Sequence, residues 1–353
     1  MIRRALIFAF AASLAAQESR FEVRSRLVPV PATVTDLKGR SIDGLEASDF
    51  LVLDNGRPQK AVVDTIDTGV APIALLIAVQ SSGISAAVIE KVRTIGAMIQ
   101  PVITGERGCA GLVSFADRVV WLQDCTKDPD ALDRAFRQLR PVLRPGEDKG
   151  ARMLDGVQSA VEHLRRQPNA RRVLLLISES RDRGSETALD VVTAAAQSAG
   201  VTIYAATYST FKTAFTSKAP VSRPRRPLRP KGPNDNMGTA NGAPPNKYNP
   251  KYNPQEQQVD VLGAIGELAR LNQANTAEVL TKSTGGAMFP FTRQKALEEA
   301  IEKLGAELHT QYVLSFAPEA SVPGYHTLEV RLARPGEFRI RARPGYWSTE
   351  EPR

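Results

Sequence analysis

A chain of 353 residues, 42% hydrophobic and 24% charged, has the makeup of a globular protein with room for one large domain and a small one. Its net charge of +8 invites a nucleic-acid reading. Residues 211–258 alone hold nine Lys or Arg against two acids, and Arg3 and Arg4 open the chain, so the remainder is close to neutral and a folded basic face for nucleic acid is excluded.

The first 16 residues read as a signal peptide. Arg3 and Arg4 precede an apolar run, and Ser13, Ala15 and Ala16 are the small residues that a signal peptidase needs. The run is too short to span a bilayer, so a secreted, periplasmic or envelope protein with no transmembrane span is expected. Residues 17–70 read as strands. The β-branched run 27–35 contains Pro29 and Pro31, which predicts an edge strand. Asp54, Asn55 and Gly56 predict a hairpin between runs 50–53 and 60–66.

From residue 71 the pattern changes to buried strands alternating with amphipathic helices. The apolar run 72–79 predicts a central parallel strand. Val88, Val92, Ile95 and Ile99 form a helical stripe. Cys109 and Cys125 flank two short runs around the turn 116–118. If Phe115 pairs with Val119, straight antiparallel register sets the two cysteines opposite each other, and a disulfide is expected. Asp128 and Pro129 predict a capped helix with Leu132, Phe136 and Leu139 inside. A helix follows on Leu154, Val157, Val161 and Leu164, then a strand at 173–177. A further helix ends at Gly200, and a strand covers 201–208.

This α/β block, residues 71–211, resumes at 259–311 after an insertion at 212–258. The insertion is rich in Pro, Asn and Arg, and a disordered spacer is predicted. A second use for it is contact with an anionic polymer or lipid surface. The resumed block carries a helical region, a short strand at 288–291, and a helix on Leu297, Ile301, Leu304 and Leu308. Residues 312–353 read as strands. Arg339, Arg341 and Arg343 alternate with Phe338, Ile340 and Ala342, which predicts a solvated basic face, with contact to an acidic partner as the alternative. The fold class is α/β: a doubly wound, mostly parallel Rossmann-like sheet, with a small β-sandwich built from the strands of both ends.

The ordered set of local signs resembles the von Willebrand factor A-like proteins, and most closely the A-related proteins abundant in Acidobacteria. Those signs are the segment Leu27-Val28-Pro29-Val30-Pro31-Ala32-Thr33-Val34-Thr35-Asp36, then Asp49-Phe50 before Asp54-Asn55-Gly56. Tyr312-Val313-Leu314-Ser315-Phe316 and the ending Pro344-Gly345-Tyr346-Trp347 complete the set. The resemblance implies an adhesion-type, protein-binding module and a metal site fed by three loops. That site takes an Asp-x-Ser-x-Ser run, a Thr and an Asp to hold Mg²⁺ through oxygens.

At the matching positions this chain has Gln80, Ser82 and Ile84, then Ala151, then Glu179. Only Ser82 is kept, and Ile84 and Ala151 carry no side-chain oxygen. The site is therefore read as degenerate, with no metal or other cofactor expected. The candidate partner-binding residues are Gln80, Ser81, Ser82, Ile84, Glu179 and Asp182, and the partner is an unidentified protein. An enzyme is not expected. The alternatives are an α/β hydrolase using Ser81 or Ser82, although Gly-x-Ser-x-Gly is missing, and a structural envelope protein. His163, His309 and His326 lack a second ligand at metal spacing and read as structural.

Overall fold

The computed structural model describes residues 27–64, 71–82, 86–142, 150–168, 170–208, 275–318 and 323–348. The signal peptide, the insertion 212–258, the start of the helical region after it and Ile84 lie outside the described residues.

Two β layers precede the α/β block in sequence: β1 (Val28–Thr35), β2 (Phe50–Asp54), β3 (Arg57–Gln59) and β4 (Ala61–Asp64). The block itself runs β5 (Ile73–Gln80), α1 (Ala86–Arg93), β6 (Cys109–Phe115), β7 (Val119–Thr126), α2 (Pro129–Gln138), α3 (Met153–Arg165), β8 (Arg171–Ser178), α4 (Leu189–Ser198) and β9 (Val201–Thr207). It continues with α5 (Thr276–Thr284), β10 (Met288–Pro290) and α6 (Gln294–Thr310). The chain then returns to β structure in β11 (Tyr312–Phe316), β12 (Gly324–Leu332), β13 (Arg339–Ala342) and β14 (Gly345–Ser348).

The central sheet has the order β10-β9-β8-β5-β6-β7, parallel except for β7. This is a doubly wound order that reverses direction between β5 and β8. All eight residues of β5 are buried, as its continuous apolar run requires for a strand covered on both faces. One face packs Ile89, Val92, Phe136, Leu297 and Ile301 from α1, α2 and α6. The other packs Val157, Val161, Val192 and Leu280 from α3, α4 and α5. Asp128 caps α2 by accepting from the Asp130 amide, with Pro129 in the first turn. No helix among the described residues is long and apolar enough to cross a membrane.

The terminal strands form two four-stranded sheets, β13-β1-β11-β4 and β14-β12-β2-β3. Val30, Val34, Val52, Leu314 and Phe316 meet between them as a separate core, so the expected sandwich is present. Three details differ from the sequence expectation. First, β1 is internal and not an edge strand. Residues 28–32 pair with β11 and residues 32–35 with β13, so Pro29 and Pro31 fall where only one side is paired and no ladder donor is needed. Second, the hairpin returns through the short β3, because Asn55 and Gly56 both take positive φ (47° and 76°) in a tight two-residue turn. The run expected at 60–66 instead crosses to the other sheet as β4. Third, β14, only four residues long, is a strand of its own.

The basic alternation of the last strands also reads differently. Arg339 is exposed, but Arg341 and Arg343 turn toward the α/β block. Arg341 pairs with Glu307 of α6, which also accepts from the Tyr204 hydroxyl at 2.7 Å. Arg343 is 5% exposed, donates to the Gln197 carbonyl of α4, and lies over the Tyr346 ring. Burial pulls its pKa down to about 10. These arginines fasten the sandwich to the sheet domain rather than facing solvent.

Cys109 and Cys125 are bridged, with Cα atoms 5.3 Å apart. The straight register holds only for the first three pairs, Phe115–Val119, Ser114–Val120 and Val113–Trp121. It then slips, so that Leu112 faces Gln123 and Ala110 faces Thr126. β7 is bulged, and the disulfide joins the strands diagonally across the irregular stretch.

Candidate functional site

The carboxyl ends of β5, β6, β8 and β9 converge at one pole of the sheet, beside the point where its direction reverses. Open α/β sheets take ligands at that pole. Three loops reach it: residues 80–82 after β5, residues 150–152 before α3, and residues 179–187 after β8.

Gln80 is 1% exposed, and its amide uses both ends. It donates to the Ser82 carbonyl at 2.9 Å and accepts from the Glu179 amide at 3.0 Å, tying the first loop to the third. The Ser82 hydroxyl donates to the Gly150 carbonyl and ties the first loop to the second. Ser81 donates to the Phe115 carbonyl at 3.2 Å and accepts from the Ser114 hydroxyl at 2.9 Å. Its own carbonyl accepts from Val142, which steadies the segment after α2. Ala151 and Arg183 exchange two backbone hydrogen bonds, 2.9 and 3.1 Å, joining the second loop to the third.

Glu179 is a buried carboxylate, its side chain 7% exposed, and it accepts from Arg183 Nη2 at 2.8 Å. Close by, the Tyr208 hydroxyl is buried without a hydrogen-bond partner among the described residues. Burial first, and the Glu179 charge second, push its pKa well above the usual range, so it stays a neutral phenol.

Asp182 accepts from the Leu154 amide and the Ser185 hydroxyl, and so caps the start of α3, which lacks a cap of its own. Asp155 accepts from Thr187, the Glu186 amide and Arg152. Its partial burial raises the carboxyl pKa, but these hydrogen bonds outweigh that and hold it below the ordinary value. A cleft of about 210 Å³ opens beside Ser81, with Val120, Leu122, Leu139 and Val142 among its walls and Arg118 and Arg140 at its rim.

The pole thus brings together Gln80, Ser81, Ser82, Ala151, Glu179 and Asp182, all named from sequence. It adds Arg183, Tyr208 and Arg152, which sequence reasoning missed. Arg183 stands four residues after Glu179 in a loop, where no periodicity marks it; only the backbone pairing with Ala151 places it.

Mg²⁺ asks for six oxygens in a tight octahedron. Of the positions described, Ala151 offers none, and Gln80 has its carbonyl on an amide and its nitrogen on a carbonyl. The Ser82 hydroxyl is turned to Gly150 and Glu179 is on a guanidinium. This donor set does not fit the ion. Among the described residues neither serine hydroxyl is bonded to a His or a carboxylate. The three histidines lie elsewhere: His163 stacks on Trp121, His309 meets the Val102 carbonyl, and His326 is buried against Asp54 in the sandwich.

No family profile and no curated protein matches the chain. Among solved structures it is similar to BatB of Bacteroides thetaiotaomicron, a conserved hypothetical protein, at 13% identity over 66% of this chain and 99% of that one, TM-score 0.40. It is similar to an aerotolerance-related membrane protein of Bacteroides fragilis at 15% identity over 66% and 98%, TM-score 0.41. Proximal thread matrix protein 1 of the mussel byssus, with a zinc-occupied metal site, is similar at 11% identity over 72% and 49%, TM-score 0.43. Likenesses of this size carry no activity or partner across. The sheet order and the single antiparallel edge strand define the class: a doubly wound α/β domain joined to a β-sandwich, the architecture that the resemblance to von Willebrand factor A-like proteins implies.

Proposed function

We propose that this chain is an exported protein-binding module that receives its partner at the carboxyl-end pole of the sheet without a metal ion. The observation that carries this reading is that the side chains of the three loops are engaged with one another. Gln80 and Ser82 knit the loops, and Glu179 is neutralised by Arg183. A partner then meets a preformed protein surface, with the cleft beside Ser81 as a seat for a side chain. Among the described residues no base is bonded to Ser81 or Ser82, which speaks against hydrolysis at this pole, because a serine nucleophile needs one within hydrogen-bond reach. Export is supported by the basic, apolar and small-residue order of the first 16 residues, and by a disulfide suited to an oxidising compartment.

Site-specific photo-crosslinking tests the reading. A benzoylphenylalanine at Arg118, on the rim of the cleft, is expected to give a discrete adduct from envelope extract, unchanged by EDTA. The same probe at the exposed Glu106, at the opposite pole, is expected to give none. Equal labelling from both positions, or an adduct that requires Mg²⁺, would contradict it.

A further inference from the structure

We infer that the Arg183 guanidinium is the resident cation of the sheet pole: it neutralises Glu179 from within the chain and thereby keeps divalent ions out. The inference rests on the metal-free reading above and goes further, because it names the residue responsible.

A carboxylate only 7% exposed needs a counter-charge, since removing its hydration without one is strongly unfavourable. Among the described residues Arg183 is the one cation paired with Glu179, through Nη2 at 2.8 Å. No helix carries Arg183, and its side chain is half-exposed. Its position comes from the backbone: Arg183 and Ala151 form an isolated antiparallel bridge, bonded in both directions. The second loop thus supplies no oxygen of its own and instead anchors the residue that brings positive charge to the third.

The two ends of the pair are fixed differently. The Glu179 amide is held by the buried Gln80 carbonyl oxygen, so the backbone that carries the carboxylate is anchored independently of Arg183. The buried Tyr208 hydroxyl adds no charge, because its pKa is raised well above the usual range. Arg183 therefore sets the net charge seen by an approaching ion. An arginine is cationic at every accessible pH and repels a divalent cation from the carboxylate it occupies. Without it, Glu179 becomes a buried carboxylate open to solvent through the space the guanidinium leaves, and a cation from solution takes its place.

The test uses the full chain, its thermal midpoint, and Mn²⁺ alone as the probe at constant ionic strength. Wild type is expected to ignore Mn²⁺, and Arg183→Lys to behave as wild type. Arg183→Gln is expected to melt lower and to regain part of the loss as Mn²⁺ is added. Arg183→Gln combined with Glu179→Gln is expected to melt higher than Arg183→Gln alone and to ignore Mn²⁺. If Arg183→Gln is indifferent to Mn²⁺, or the double variant gains nothing over the single one, the inference is overturned while the metal-free reading stands. If wild type itself is stabilised by Mn²⁺, that reading fails first. Should Arg183→Gln not accumulate folded, the double variant decides. Recovery of folding supports a charge role, whereas equal failure shows that Arg183 only holds the loop.

Discussion

Replacing Gly286 by alanine is expected to lower the melting midpoint by about 5 °C. Gly286 follows the left-handed Gly285 that ends α5, and leads directly into β10. A β-carbon built there would lie 1.9 Å from the Ile203 carbonyl oxygen and 2.7 Å from its carbon. Both atoms belong to the backbone of β9, which is buried along its whole length. Side-chain rotation cannot relieve such a contact, so β10 must move away from β9. That movement strains the hydrogen bond from the Ala205 amide to the Ala287 carbonyl and the pairing of Met288 with Ala205. Overpacking a core costs about 1–3 kcal/mol where neighbours can adjust, and the upper end applies here. For a chain of 353 residues each kcal/mol corresponds to roughly 1–2 °C. Differential scanning calorimetry checks the value, with Gly150→Ala, where φ is ordinary and a β-carbon meets nothing closer than 3.9 Å, as a comparison for glycine loss. An unchanged midpoint for Gly286→Ala would mean that β10 is not fixed on β9 as described.

Removing the Cys109–Cys125 bridge is expected to cost about 3 kcal/mol, the chain-entropy value for a loop of this length; the two residues are 16 apart in sequence. The loss should be local before it is global. Beyond Trp121 the ladder between β6 and β7 is irregular, and β7 is the sheet's outer strand. Gly111 sits inside the slip, where a β-carbon would press on the Gln123 carbonyl and the Cys125 amide. The covalent link therefore holds a stretch that hydrogen bonds hold poorly. In the double variant Cys109→Ser, Cys125→Ser, amide exchange should speed up most at residues 123–126 and least in β5. Uniform exchange through the sheet, or unchanged stability, would count against this account.

Much of the fold was legible because burial sets the sequence period. The unbroken apolar run of β5 and the Asp128–Pro129 start of α2 each report a local rule and are found as expected; Val88, Val92, Ile95 and Ile99 are all buried, but α1 itself ends at Arg93. What escaped depends on partners distant in sequence. Pro29 and Pro31 correctly signal a missing neighbour, but only for half of β1, because β13 pairs with the other half. The two slips in β7 leave no mark in composition, so the disulfide was found through a register that does not reach it. Arg341 and Arg343 alternate like a solvated face, yet α4 and α6 lie against that face. At the pole, residue identities alone showed that Gln80, Ala151 and Glu179 depart from the pattern of metal ligands. They did not show that Gln80 bridges two loops or that Arg183 reaches Glu179, since both contacts arise only when separate loops meet.

The most direct test of the account is calorimetry of the wild-type chain in millimolar Mg²⁺ and again in EDTA. An ion bound at a hundredfold excess over its dissociation constant adds about 2.7 kcal/mol to stability, or roughly 3–5 °C at this chain length. With the loops knit to one another and Arg183 on Glu179, the two melting curves are expected to superimpose. A midpoint that rises by several degrees in Mg²⁺ and falls back in EDTA would show that the pole holds a metal after all.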